Sequence, residues 1–146
     1  MDIRLIVTVP VVAYFTVLGL FAVAQSTVGA TFTEGQPAFL LVVGLLGPLL
    51  AFALIWLKNY VYGAPVLVAT LVPNAWFVCY FFLVHDNPAN VFAASGDGAA
   101  AYLASVVGVV ANSIILAGVG CWLWYRESPQ FRDAVDRIVR PPTSEN

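Results

Sequence analysis

The chain is short of charge. Only 10% of its 146 residues are Asp, Glu, Lys or Arg, against about a quarter in an ordinary soluble domain. So few charges cannot coat a water-facing surface, which excludes a soluble globular domain and a disordered one. Ligating side chains are scarce too. His85 is the one histidine, and Cys79 and Cys121 are the two cysteines, with no C-x-x-C between them. A zinc site takes about four such ligands and a bis-histidine haem takes two histidines, so no metal and no cofactor is expected of one chain. The six basic residues are Arg4, Lys58, Arg126, Arg132, Arg137 and Arg140, and they form no dense run. Nucleic-acid binding is excluded on that ground. Serine-hydrolase, P-loop and zinc-protease motifs are missing as well.

What the sequence does have is long apolar runs. It is 61% hydrophobic with a mean hydropathy of +0.89. A bilayer core about 30 Å thick takes roughly 20 apolar residues as a helix. Residues 5–24, 39–57, 65–84 and 99–125 each meet that length. The pattern predicts an all-α integral membrane protein: four transmembrane helices in an up-down bundle over residues 1–125, then a tail at 126–146. The lipid bilayer is thus its first partner. The connections 25–38, 58–64 and 85–98 are rich in Gly, Pro, Asn, Asp, Ser and Thr. Ala22-Val23-Ala24 before Gln25 resembles a signal-peptidase site. The run before it is longer than a usual signal h-region, so the first span is expected to stay.

Loop charge orients the spans. Alternating sides places every Lys and Arg on one face and leaves Glu34, Asp86 and Asp97 on the other. Both termini are therefore expected in the cytoplasm, with the chain as a multi-pass protein of the plasma membrane. In the tail, Ser128 suits a helix cap and Pro129 a first turn. Phe131, Val135, Ile138 and Val139 share one face, and Asp133–Arg137 and Asp136–Arg140 are i,i+4 pairs. A short amphipathic helix over about 129–140 is expected, on the inner membrane surface or packed on the inner ends of the spans. The two halves also look alike: Val42-Val43-Gly44 matches Val106-Val107-Gly108, and Pro10 and Tyr14 match Pro73 and Phe77. A duplicated hairpin would give parallel copies.

No charged residue lies inside any span, where pumps and proton-coupled carriers place theirs. The deepest polar residues are Asn74 and Asn112, within roughly 6 Å of each other in depth at 1.5 Å per residue. Pro48 and Pro73 sit nearby, and each frees a backbone carbonyl one turn earlier. These four make a candidate midplane polar site; the plainer reading is a hydrogen bond between helices. Ala100, Ala104 and Gly108, with Gly47 and Ala51, form small-residue rows suited to helix packing. His85 and Asp86 make a weaker candidate at the outer loop, either a base or part of an Asp-Asn-Pro turn. The cysteines lie too far apart in depth for a disulfide.

The expected function is a non-catalytic accessory or structural subunit of a larger membrane assembly, with a protein partner or a second copy beside it in the membrane. The alternative is an oligomeric passive channel or small-solute transporter built around Asn74 and Asn112. A lipid- or quinone-handling enzyme using His85 and Asp86 is a third class.

Overall fold

The computed structural model describes residues 2–143, and all regular structure among them is helical. Helix α1 covers Ile3–Val28, α2 Gln36–Trp56, α3 Tyr60–Val84, α4 Ala99–Glu127 and α5 Pro129–Val139. The first four are long and apolar enough to cross a membrane. Their ends carry local signals. The Asp2 carboxylate accepts the Arg4 N–H at the start of α1, and Gly29 ends it in the left-handed region. Gly35, also left-handed, and Pro37 open α2.

Helix α3 begins earlier than its apolar run. Residues 60–64 read as connection in the sequence because Gly63 and Pro65 look like turn residues. They are helical, and Gly63 is there for proximity. A Cβ at Gly63 would stand 2.8 Å from Ile55 Cγ1 and 3.1 Å from the Ile55 backbone nitrogen. The turn itself is made by Lys58, at φ 60.

Helices α3 and α4 pack most extensively, followed by α1 on α4 and α2 on α3, while α1 and α2 touch sparingly. Two apolar clusters fill the interior. One holds Ile55, Leu67, Leu71, Leu116 and Leu123; the other holds Phe21, Phe77, Phe82 and Tyr102. The connection 85–98 closes over the second cluster, burying Ala89 and Val91. The Val91 N–H donates to the Phe82 carbonyl at 2.9 Å and the Tyr102 hydroxyl to the Ala89 carbonyl at 2.5 Å. Outward, Leu41, Leu50, Trp76, Ile114 and Ile115 are exposed.

Helices α2 and α3 each contain a π-helical segment, Leu40–Leu46 and Tyr80–Val84. The Gly47 N–H reaches back five residues to the Val42 carbonyl, and the His85 N–H to the Tyr80 carbonyl. Val42–Gly44 lies in a π segment whereas Val106–Gly108 lies in regular α-helix. The two matched segments therefore differ in backbone conformation.

Helix α5 is clamped to the end of α4. The Phe131 ring stacks on Trp124, centroids 4.0 Å apart, and the Ser128 hydroxyl caps the first turn. The Tyr125 hydroxyl donates to Asp136 at 2.9 Å, and Arg132 donates to the carbonyls of Tyr125 and Arg126. The two i,i+4 pairs expected here do not form. Among the described residues neither Asp133–Arg137 nor Asp136–Arg140 is an ion pair. Exposed pairs hold long side chains for little gain, and the docking bonds to α4 take Asp136 and Arg132 instead. Ile138 and Val139 remain exposed. Residues 144–146 of the tail lie outside the described residues.

Candidate functional site

The most polar point of the interior is a chain of hydrogen bonds through all four long helices. It starts at Pro48 in α2. Proline has no N–H, so the carbonyl four residues earlier loses its usual α-helical donor. That carbonyl belongs to Gly44, which is buried. The Tyr14 hydroxyl of α1 donates to it. The Asn74 amide of α3 donates to the Tyr14 oxygen at 3.2 Å and to the Ser113 hydroxyl of α4 at 3.2 Å. Tyr14, Asn74 and Ser113 are each fully buried. Buried polar groups left unpaired are costly, and this arrangement pairs a donor or acceptor from each helix.

Gly44 is fixed by the same geometry. A Cβ there would come within 2.9 Å of Asn74 Oδ1. That amide oxygen has no hydrogen-bond partner among the described residues, and it lies 2.9 Å from where a Gly44 Cβ would stand. A weak Cα–H···O contact fits this placement.

Asn112 is not part of the chain of bonds. Its amide donates to the Gly108 carbonyl, one turn back in its own helix, at 2.8 Å. Among the described residues no hydrogen bond joins it to Asn74. The sequence match between the halves acquires a physical content here. Gly44 and Gly108 correspond, and each carbonyl accepts a side-chain donor. Pro48 and Asn112 stand in equivalent places: one removes a backbone donor, the other adds a side-chain donor. Pro73 lies inside α3 one residue before Asn74.

Gly47, Ala51 and Gly108 of the small-residue rows meet other helices of the same chain. A Cβ on Gly47 would overlap the Thr70 methyl of α3, and one on Gly108 would stand 2.9 Å from Val17 Cγ1 of α1. Ala51 is fully buried, and its carbonyl lies beside Gly63 of α3. Ala100 and Ala104 are exposed. Ala104 and Gly108 line an open groove of about 450 Å³ between α1 and α4.

His85 and Asp86 are exposed at the end of α3. The turn is built by Asn87, of the Asp-Asn-Pro signal, and by Asn90, which the sequence did not single out. The Asn87 and Asn90 amides both donate to the His85 carbonyl, at 2.9 and 2.8 Å. The His85 ring leans on Tyr80 and Phe81, and among the described residues it makes no hydrogen bond to Asp86. Cys79 and Cys121 are free thiols. Among the described residues no three His, Cys, Asp or Glu side chains gather to hold a metal.

Sequence reasoning missed Tyr14, Gly44 and Ser113. The signal for Gly44 was present in Pro48, whose missing N–H points to position 44. Tyr14 and Ser113 carried no local signal beyond being polar in apolar helices. Set beside known proteins, the chain matches no family model, no curated protein and no solved structure.

Proposed function

We propose that this chain is an integral membrane protein with four spans in an up-down bundle, acting as a non-catalytic accessory or structural subunit of a larger membrane assembly. Both termini lie in the cytoplasm, the membrane is the plasma membrane, and α5 lies along its inner surface. One observation carries the reading. The buried polar groups Tyr14, Asn74 and Ser113 are held by one another and by the Gly44 carbonyl, which makes them a fastening between helices. The surfaces left for interaction are apolar helix faces such as Leu41, Leu50, Ile114 and Ile115. Ile138 and Val139 on α5 suit an interfacial helix in the same way.

The test is mild-detergent purification from the native membrane, with the co-purifying proteins identified, alongside solute flux in liposomes holding the chain alone. A stoichiometric membrane partner and silent liposomes are expected. Flux by the chain alone that falls in Asn112→Leu would overturn the subunit reading in favour of a passive channel.

A further inference from the structure

The seam between α1 and α4 is grooved near the start of α1. Ile6 of α1 and Ile115, Gly118, Val119 and Trp122 of α4 border an open space of about 380 Å³. Gly118 borders it, and a Cβ built there meets nothing within 4 Å. One turn beyond Trp122, which lines the groove, the Arg126 guanidinium stands 5.6 Å from the centre of the Trp122 ring. Its side chain is 54% exposed, and among the described residues its one acidic contact is Glu127, adjacent in sequence, at 3.4 Å. The further groove along the same seam ends instead at Thr27 and Gly98. The cation thus marks one end of the seam.

We propose that this groove seats one acyl chain of an anionic glycerophospholipid, with Arg126 gripping the headgroup phosphate. The inference rests on the membrane reading above. The apolar walls and the empty volume over Gly118 suit a hydrocarbon chain. Trp122 is the residue type that sits where acyl chain gives way to headgroup, because its ring is apolar and its N–H polar. A guanidinium at that level meets a phosphate with two parallel hydrogen bonds. Charge complementarity therefore selects a phosphate-bearing lipid over a bare apolar chain, and an anionic headgroup over a zwitterionic one.

The test is native mass spectrometry of the full chain in a mild detergent, offered phosphatidylglycerol or phosphatidylcholine with the same acyl chains. One retained phosphatidylglycerol is expected, favoured over phosphatidylcholine by about fivefold, the factor that one arginine beside an anionic headgroup supplies. Gly118→Leu fills the groove and is expected to abolish retention of both lipids with helicity by circular dichroism unchanged. Gly118→Ala, a smaller filling, should weaken retention in between. Arg126→Gln should bring phosphatidylglycerol down to the phosphatidylcholine level. Inorganic phosphate should not compete; competition would mean an anion site with no lipid seat and overturns the proposal. Undiminished retention in Gly118→Leu, or a preference unmoved by Arg126→Gln, also overturns it. Alkaline carbonate extraction separates the two levels. A chain that stays in the membrane but keeps no lipid overturns the groove alone, whereas a chain released from the membrane overturns the membrane reading itself.

Discussion

Helices α3 and α4 bury 39% of their most apolar stretch inside the chain, whereas α1 and α2 bury 22%. Their composition does not explain the gap, because α1 and α2 are the more apolar pair. The difference lies in contact. α3 and α4 pack along each other and each takes one further long helix, while α1 and α2 flank them and touch sparingly. The inner pair acts as a stem and the outer pair as facing. Under the proposed membrane reading, the apolar surface that stays outward on α1 and α2 would face lipid or a neighbour. What joins the facing helices to each other is polar and local. Trp56 Nε1 donates to the Thr8 hydroxyl at 3.2 Å, Arg4 stacks on Trp56, and Tyr14 reaches the Gly44 carbonyl.

The sharpest way to break this comparison is to put the same substitution on the stem and on the facing. Gly120 of α4 lies against α3, where a Cβ would stand 2.9 Å from Val68 Cγ2 and 3.3 Å from Leu67 Cδ2. Gly120→Leu forces those helices apart and is expected to cost about 3 kcal/mol, the upper range for overpacking. Gly19 of α1 meets nothing within 4 Å. Gly19→Leu is expected to stay within about 0.5 kcal/mol of the parent, as surface changes do. Unfolding in detergent measures both. Equal costs at the two positions would remove the distinction between stem and facing.

The helices themselves were legible because length and hydropathy alone mark them. Helix depth was legible as well, since each residue rises a fixed 1.5 Å. Which way a side chain faces was not. Asn112 and Ser113 are neighbours at nearly one depth, yet about 100° of helix rotation separates them. Ser113 faces Asn74, and Asn112 turns to its own Gly108. Four near-uniform apolar helices have almost no polar face to set that rotation, so packing sets it. The partner of Asn74 was therefore out of reach of the sequence. The same blindness hid the destination of the small residues: Gly47 and Gly108 meet Thr70 and Val17 within the chain.

A smaller effect sharpens the link between the facing helices. Tyr14→Phe leaves the buried Gly44 carbonyl without its hydroxyl donor and is expected to cost about 1–2 kcal/mol, within the range for an unsatisfied buried group. The cause is Pro48, so the cost depends on it. Pro48→Ala restores a backbone N–H four residues after Gly44. In that background Tyr14→Phe should cost less by about 0.5–1 kcal/mol, a coupling of the size seen between residues in one network. An identical cost in both backgrounds would show that Pro48 does not govern the Gly44 carbonyl.

The smallest effect belongs at the start of α1, at the Asp2–Arg4 pair. The Asp2 carboxylate accepts from the Arg4 guanidinium at 2.7 Å and from the Arg4 N–H at 3.0 Å. The hydrogen bond to the Arg4 side chain, more than the backbone bond and the charge, holds the Asp2 carboxyl below its ordinary range. A carboxyl lowered in the folded state stabilises above its unfolded value, about 3.9, and loses that contribution as the pH falls through the folded value. Wild type should therefore melt slightly above Asp2→Asn at neutral pH, and the two should converge below about pH 3.9. The gap is expected to be the smallest of the three because the pair is open to solvent. Thermal melts of both proteins from pH 7 down into that range make the measurement. A gap that stays constant with pH would show that the charge of Asp2 does not stabilise the fold, since Asn keeps a capping oxygen. A gap as large as that of Tyr14→Phe would mean that α1 is anchored at its end rather than at its middle.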